Sequence, residues 1–166
     1  MDFNGNGNGA CAILGVKRDE YGEIMRVWEM SVRASHAFLQ EEDILFYKKQ
    51  IPATGLDNVR LFAVRDASRK ILGFMGTSAE KIEMLFIIPH MRGKGIGRTF
   101  IDYAVKKLRV KKVDVNEQNE NAVEFYRKMG FAVKARSELD MAGRPYPVLH
   151  LVAGKGLICE YNCAQC

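Results

Sequence analysis

Cysteine, proline and long apolar runs are all scarce in this chain. Its four cysteines lie near the two ends, so we expect reduced thiols and a core that no disulfide crosses: Cys11, Cys159, Cys163 and Cys166. No apolar stretch approaches the roughly 18 residues that a membrane-spanning helix needs. The first nine residues, M-D-F-N-G-N-G-N-G, lack the basic start and apolar segment of a signal peptide. These absences argue against a secreted or membrane protein and predict a cytoplasmic one.

The body of the chain has the composition of one globular domain. Of its 166 residues, 48% are hydrophobic and 27% are charged, which excludes extensive disorder and allows a core without a metal or disulfide. We predict a flexible tail over 1–10, a single domain over 11–153 and a cysteine-containing tail over 154–166. The tail spacing C-x3-C-x2-C is that of an iron–sulfur triad. Because the other parts of such a centre are missing, no metal is expected.

Positive charge is concentrated in one segment of a chain whose net charge is +5. Between positions 92 and 112 there is one acid, Asp102, and eight basic residues: Arg92, Lys94, Arg98, Lys106, Lys107, Arg109, Lys111 and Lys112. So uneven a distribution favours one polyanionic ligand, such as a phosphate-bearing molecule, held at one place. A nucleic-acid surface over 106–112 is an alternative, but we do not expect nucleic acid as a partner.

Hydrophobic periodicity predicts an α/β (α+β) domain with a mixed sheet flanked by about four helices. The predicted order is β-α-α-β-β-β-α-β-α-β-β, with apolar residues on both faces of the third long strand, which indicates a central position in the sheet. Helices are predicted over 22–35, 42–50, 96–108 and 119–129, and strands over 12–16, 59–64, 71–77, 82–88, 113–116, 131–138 and 147–152.

A glycine-rich loop joins the central strand to the third helix. It consists of Arg92, Gly93, Lys94, Gly95, Ile96 and Gly97. At the start of a helix, unpaired backbone N–H groups and the positive end of the dipole favour a phosphate, and glycines let it approach the backbone. The spacing differs from that of a P-loop, which needs Lys-Ser or Lys-Thr, and from the dinucleotide fingerprint G-x-G-x-x-G. The loop therefore predicts a diphosphate site of another kind.

Two motifs resemble those of the GNAT N-acetyltransferase superfamily. The loop matches the family pattern [Q/R]-x-x-G-x-G, and the segment 119–131 matches N-x-x-A-x-x-F-Y-x-x-x-G-F without departure. Further similarity, to a bacterial YjaB-like subgroup, lies in Trp28, S-H-A-F-L, N-E-Q-N and G-R-P-Y-P. Together these features cover about 21–152, nearly the whole predicted domain.

The resemblance implies a splayed sheet with acetyl-CoA in the gap between the strand that ends at Ile88 and the strand that starts at Val113. It implies that the backbone of Phe86 and Ile87 pairs with the pantetheine arm. The loop from Arg92 to Gly97 would hold the pyrophosphate together with Arg98 and Thr99, and Asn119 would bind the pantetheine. The implied partners are acetyl-CoA and an amine acceptor, for a monomer or homodimer without a membrane.

The implied reaction is transfer of an acetyl group to a primary amine by direct attack in a ternary complex. The amine could belong to a small molecule, a protein lysine or a protein N-terminus. Such a transfer needs a neutral amine, a stabilised oxyanion and a proton for the departing thiolate. A regulatory module that binds acetyl-CoA without turnover is the alternative. An amine panel would distinguish these two functions.

Three residues are candidates for the proton transfers. Tyr126 matches the family tyrosine that reaches the sulfur and is the candidate acid, with packing on the inner face of its helix as the structural alternative. Glu83 is the one acid in an otherwise apolar strand and is the candidate base, with pairing to Lys81 as the structural alternative. His36 is the rival base, because an imidazole of ordinary pKa suits proton removal near neutrality.

The acceptor pocket is expected between the connection of the first two helices and the last hairpin. Three aromatic residues could form its wall or belong to the plain core: Trp28, Phe38 and Tyr146. His36 is a further candidate for acceptor binding. The sequence suggests no partner for His90 or His150.

Overall fold

The computed structural model describes residues 12–154. The predicted tail over 1–10 and all four cysteines lie outside the described residues, as does nearly all of the predicted C-terminal tail. Within residues 12–154, no helix is long and apolar enough to cross a membrane. The same residues contain no group of His, Cys, Asp and Glu side chains arranged to hold a metal ion.

The predicted order of strands and helices is confirmed. The helices are α1 (Tyr21–Ser35), α2 (Glu41–Gln50), α3 (Ile96–Lys106) and α4 (Glu120–Lys128). The strands are β1 (Ile13–Gly15), β2 (Arg60–Arg65), β3 (Ile71–Thr77), β4 (Lys81–Ile87), β5 (Lys112–Asn116), β6 (Phe131–Ser137) and β7 (Val148–Ala153). Every predicted boundary lies within about two residues of the observed one. This is because the spacing of apolar residues indicates each helix and strand, and the residues at its ends indicate where it begins and ends.

The seven strands form one mixed sheet in the order β1-β2-β3-β4-β5-β7-β6. Strand β4 is the middle strand, as its apolar residues on both faces predicted. All neighbours are antiparallel except β4 and β5, which are parallel and pair at two positions, Lys81 with Lys112 and Ile82 with Val113. Beyond this short ladder the two central strands separate, which confirms the splayed sheet.

A bulge in β4 lies at the point where the strands begin to separate. Ile82 pairs with Thr77 and Met84 pairs with Gly76, so Glu83 is an extra residue without a direct partner in β3. Bulges redirect side chains and are common beside active sites. This irregularity positions the predicted catalytic glutamate.

Helices cover both faces of the sheet around β4. Met84 reaches Gly55, just after α2, whereas Ile87 reaches Gly97 at the start of α3. Because successive side chains of a strand point to opposite faces, α2 and α3 lie on opposite sides of the sheet. The fully buried side chains come from both layers and from the sheet between them; the largest include Phe74, Phe100, Ile24, Leu56 and Met75.

Candidate active site

The glycine loop adopts the backbone conformation that its glycines predicted. Gly93 and Gly95 have φ of 74° and 87°, in the left-handed region that side-chain-bearing residues rarely adopt. A Cβ at either position would have no heavy atom within 4 Å, so the loop presents bare backbone on its outer side. Gly95 caps α3 directly, which leaves the first N–H groups of that helix available to an anion.

Gly97 has a different role from the other two loop glycines. A Cβ at this position would lie 2.9 Å from the ring of Phe125, which is closer than real Cβ contacts. Its small size therefore allows the start of α3 to approach α4. Gly97 is predicted to be part of the phosphate cradle, and the structure shows that it also lies where the two helices meet.

The polar side chains around the loop differ in their availability. The Arg92 guanidinium donates to the carbonyl oxygen of Ser31 at 2.9 Å, and Thr99 donates to the carbonyl of Gly95 at 3.1 Å. Both are thus occupied in holding the loop and α1. Lys94 and Arg98 are exposed, and Lys94 makes only a weak contact with the sulfur of Met91. Within residues 12–154, these two cations of the loop therefore make no strong side-chain hydrogen bond.

The eight basic residues of the segment 92–112 do not all lie at one place. Helix α3 has 11 residues and is therefore about 16 Å long, and it separates the cations at the glycine loop from those at 106–112. Lys106 forms an ion pair with Asp102, and Lys112 forms one with Glu80 in the connection between β3 and β4. Charge that is contiguous in sequence is thus divided between two ends of a helix.

Of the two residues whose backbone was predicted to face the gap, Ile87 faces it and Phe86 does not. Ile88 donates to the carbonyl of Leu72, and hydrogen-bonded pairs alternate along an antiparallel ladder, so the backbone of Phe86 is directed at Phe74 in β3. The backbone of Phe86 is therefore not available to the gap, contrary to the prediction, whereas that of the neighbouring Leu85 is. Leu85 and Ile87 present their backbone groups to the open edge. The carbonyl of Ile87 already accepts a 2.8 Å bond from the Ser31 hydroxyl.

Asn119 and Tyr126 lie at the start of α4 and within it, beside the gap. Asn119 is the N-cap of α4, and its Oδ1 accepts from the backbone N–H of Ala122 at 3.3 Å, which accounts for its place in the motif. The ring of Tyr126 is buried between Phe125 and Phe131. Among residues 12–154 its hydroxyl makes no hydrogen bond. Burial raises the pKa of Tyr126, so the hydroxyl stays protonated at neutral pH.

Glu83 belongs to an ionic network that runs across the sheet. Its Oε2 lies 3.1 Å from Lys81 Nζ, the pairing that was its structural alternative. Lys81 in turn lies 2.8 Å from Asp114 Oδ2, and Asp114 Oδ1 lies 2.7 Å from His150 Nδ1. Against the effect of partial burial, Lys81 and His150 hold the pKa of Asp114 below its ordinary value. The sequence analysis did not identify Asp114 and His150 as site residues. A signal was present, because each alternates with buried residues along its strand, so its side chain lies on the face opposite to those buried residues.

His36 ends α1 and lies among aromatic rings. Its ring centroid is 5.2 Å from that of Phe38 and 6.5 Å from that of Phe86, and its Nδ1 is 2.9 Å from the Ser35 hydroxyl. Burial, reinforced by the charge of Arg92, lowers the pKa of His36 to about 4. The expectation of an ordinary imidazole pKa is wrong, so His36 is a neutral and weak base at pH 7.

The expected acceptor wall is held together by Asp43, a buried residue that the sequence analysis did not single out. Its carboxylate accepts hydrogen bonds from the Tyr146 hydroxyl and the Arg144 guanidinium, which hold the pKa of Asp43 below its usual value. The ring of Tyr146 lies 5.8 Å from that of Phe38. Helix α2 is thereby tied to the β6–β7 loop. Trp28 is only 4% exposed and belongs to the core.

Sequence comparison identifies the family to which this arrangement belongs. The acetyltransferase (GNAT) domain family matches residues 37–146, two thirds of the chain. The chain belongs to the GNAT acetyltransferase family. Two GNAT relatives are the peptidyl-lysine N-acetyltransferases YjaB of Escherichia coli and Salmonella typhimurium. The first is 38% identical over 143 residues, 81% of this chain and 91% of that protein. The second is 37% identical over 139 residues, 81% of this chain and 93% of that protein.

Solved structures agree with the GNAT assignment. The solution structure of apo YjaB from Escherichia coli has a TM-score of 0.78 and 36% identity, covering 85% of this chain and 95% of that one. The crystal structure of PaiA N-acetyltransferase from Thermoplasma acidophilum, in complex with coenzyme A, has a TM-score of 0.67 and 18% identity. It covers 84% of this chain and 96% of that one, and at this identity it supports the fold alone. The predicted YjaB-like resemblance is thus confirmed, and the protein is an acetyltransferase.

Proposed function

We propose that this protein transfers the acetyl group of acetyl-CoA directly to the side-chain amine of a protein lysine. The proposal rests mainly on one observation: β4 and β5 separate just beyond Ile82 and Val113, beside a loop whose glycines leave its backbone accessible. A gap of this kind accommodates an extended thioester arm from one side and an amine from the other. The acceptor class is taken from the YjaB relatives, which are peptidyl-lysine acetyltransferases.

The residues around the gap fit acetyl-CoA. The N–H groups at the start of α3, with Lys94 and Arg98, would hold the pyrophosphate. The open backbone edge at Leu85 and Ile87 would pair with the amide-bearing pantetheine arm, as an added strand pairs with a sheet edge. A backbone site of this kind supplies affinity without demanding particular side chains. Such a site is consistent with glycine at positions 93 and 95 of the exposed loop.

Tyr126 acts as the general acid in this proposal. Its ring is held by two aromatic neighbours, and its hydroxyl is both protonated and without a hydrogen-bond partner among the described residues. A proton donor of this kind can serve the departing thiolate. Thiolate is a moderately good leaving group, so we assign the acid about a hundredfold of the rate.

Glu83 acts as the general base. Because of the bulge, Glu83 has no direct partner in β3 at the base of the gap. Its carboxylate lies beside Lys81, on the charged surface that an incoming ammonium group would meet. His36 lies near the aromatic acceptor wall, but a pKa of about 4 makes it a poor proton acceptor. We therefore assign His36 to acceptor positioning, together with Phe38 and Tyr146.

The test measures acetylation of three acceptors by mass spectrometry in the presence of acetyl-CoA. These are a lysine peptide with a blocked N-terminus, a lysine-free peptide with a free N-terminus, and spermidine. We expect the blocked lysine peptide to react fastest. If acetyl-CoA binds in calorimetry but none of the three acceptors, nor protein from a cell lysate, is acetylated, the binding module without turnover is the correct function.

Glu83→Gln tests the base within the same assay. We expect kcat near pH 7 to fall about a hundredfold, because the amide cannot take the ammonium proton, and the loss to shrink at high pH where more of the amine is neutral. Glu80→Gln is the matched control, since Glu80 is exposed and pairs only with Lys112. An equal kcat for the two variants would contradict the assignment of Glu83.

A further inference from the structure

One histidine that the proposed acetyl transfer does not use, His150, lies between a carboxylate and a serine. Its Nδ1 is 2.7 Å from Asp114 Oδ1 in β5, and its Nε2 is 2.7 Å from the Ser137 hydroxyl at the end of β6. A nucleophilic serine needs a base within hydrogen-bond reach and a third group that orients this base. The three side chains meet both requirements.

The carboxylate of Asp114 determines which nitrogen of His150 carries the hydrogen. Against the effect of burial, hydrogen bonds from Lys81 and His150 hold the pKa of Asp114 below its ordinary value, so this carboxylate is charged at neutral pH and can only accept. Nδ1 therefore donates to Asp114, and the neutral imidazole presents the lone pair of Nε2 to Ser137. Lys81 Nζ, at 2.8 Å from Asp114 Oδ2, holds the other side of the carboxylate. The Ser137 hydroxyl thus donates to a base that is fixed in position.

The serine and the histidine lie on an accessible face of the sheet. Asp114 and His150 alternate with buried residues along β5 and β7, so both face away from those residues. Ser137 pairs with Val148, two residues from His150, and its side chain therefore shares that face. The side chain of His150 is 37% exposed, and Ser137 is partly exposed. A small molecule can reach the pair from solvent.

This site is separate from the gap that is proposed to hold acetyl-CoA. In the sheet, β5 and β7 lie between β4 and β6, so Ser137 is at least about 14 Å from β4. The serine ends an open strand and does not lie in a loop that surrounds it with backbone N–H groups, so we expect little stabilisation of an oxyanion. The substrates that suit such a site are small esters whose alcohol is acidic and leaves easily.

We propose that Ser137 and His150, positioned by Asp114, form a second catalytic site that hydrolyses small activated esters without coenzyme A. The Ser137 oxygen bonds to the ester carbonyl carbon while its proton passes to His150 Nε2, and this proton leaves with the alcohol as the carbon–oxygen bond breaks. Water then gives a proton to Nε2 as its oxygen adds to the acyl-serine. Release of the acid breaks the bond to Ser137, whose oxygen takes that proton back. Asp114 stays charged throughout.

A second serine–histidine pair in the protein lacks this arrangement. Ser35 Oγ lies 2.9 Å from His36 Nδ1, but the hydroxyl donates to the carbonyl oxygen of Ser31 at 2.7 Å. Among residues 12–154, no carboxylate forms a hydrogen bond with the ring of His36. Ser35 is therefore an internal comparison, which should stay unreactive where Ser137 reacts.

The first test treats the folded protein, without coenzyme A, with a fluorophosphonate, which forms a stable ester with activated serine hydroxyls. Peptide mass spectrometry locates the adduct. We expect an adduct on Ser137 and none on Ser35. His150→Gln should slow the labelling at least tenfold, because glutamine keeps a polar contact but cannot take the hydroxyl proton. A wild-type protein without an adduct on Ser137, or with as much on Ser35, would overturn the proposal whatever the variants do.

The second test measures turnover with p-nitrophenyl acetate. Hydrolysis should fall at least tenfold in Ser137→Ala and stay unchanged in the control Ser68→Ala, which removes an exposed hydroxyl that donates to Asp66. Equal rates for these two variants would contradict the second site. Because neither coenzyme A nor Glu83 enters this reaction, its failure would leave the proposed acetyl transfer untouched.

The positioning role of Asp114 has its own readout. The Nδ1 hydrogen of His150, held by a carboxylate, should give a strongly downfield resonance in the proton NMR spectrum. Asp114→Asn should remove this resonance and slow the labelling of Ser137, whereas Ser137→Ala should retain the resonance. A wild-type spectrum without it would show that Asp114 does not orient the imidazole.

Discussion

The two sides of the gap are built in different ways. The cofactor side is made from one continuous stretch, from β4 through the glycine loop to α4, and its working surface is backbone. The acceptor side is made from two segments that are far apart in sequence: Asp43 contacts Arg144 and Tyr146, which lie 101 and 103 positions away. Its surface consists of aromatic and charged side chains.

This difference indicates which positions on each side should tolerate substitution. In the proposed function, recognition of the coenzyme by backbone N–H groups depends on glycine at a few positions and is insensitive to most neighbouring side chains. Recognition of the proposed acceptor depends on the side chains of α2 and the β6–β7 loop and on the bonds that hold these segments together. Substitutions on one side should therefore leave the other side nearly unchanged.

Tyr126→Phe should have the largest effect on activity. Tyr126 lies between the cofactor side and the acceptor side. We expect kcat to fall about a hundredfold, because the departing thiolate loses its proton donor, with little change in the Kd for acetyl-CoA. Steady-state kinetics and calorimetry measure the two quantities. Tyr103→Phe in α3, which removes a hydroxyl away from the gap, is the control. Full activity in Tyr126→Phe would end the assignment of the acid.

Asp43→Asn tests the acceptor side alone. The amide cannot accept from both Tyr146 and Arg144 as a carboxylate does, so we expect a loss of about 2 kcal/mol in the free energy of unfolding, since Arg144 is partly exposed. The KM for the lysine peptide should rise about tenfold while the Kd for acetyl-CoA stays constant. Urea unfolding and kinetics measure this, with exposed Glu42→Gln as the control. A weakened Kd for acetyl-CoA would show that the two sides are coupled.

Gly95→Ala and Gly143→Ala form a matched pair on opposite sides. Both glycines have left-handed φ, 87° and 76°, and open space around the added Cβ, so each variant should lose about 1 kcal/mol of stability. Gly95→Ala alone should weaken acetyl-CoA binding, by about fivefold, because its methyl group enters the phosphate-binding surface. Equal Kd values for the two variants would mean that the loop does not hold the pyrophosphate.

His36→Gln should have the smallest effect on stability, and this effect should be confined to acid pH. The folded-state pKa of His36, about 4, lies below the reference value of 6.5. The unfolded chain therefore binds the proton first, and the protein loses stability as pH falls from 6.5 to 4. We expect the Tm of the wild type to fall more steeply in this window than that of His36→Gln. Parallel Tm curves would contradict the buried, neutral imidazole.

Much of the cofactor side was predictable because its signals are local. The period of apolar residues defines α3 and α4, and the N-cap Asn119 and the glycines at 93 and 95 have the conformations that their positions demanded. The acceptor side was predicted only in outline. Aromatic residues such as Phe38 and Tyr146 were identified, but the carboxylate of Asp43 that joins them was not, because nothing near it in sequence indicates a partner a hundred residues away.

The order of strands and helices, the glycine loop and the family could be predicted from the sequence, since backbone preference and periodicity depend on neighbouring residues. The folded structure was needed to show that the backbone of Leu85 rather than Phe86 faces the gap, that α3 divides the basic segment, and that His36 is a weak base. It also decided that Glu83 connects to His150. These properties follow from strand register, the bulge and burial, which arise when distant segments pack and which no local stretch of sequence encodes.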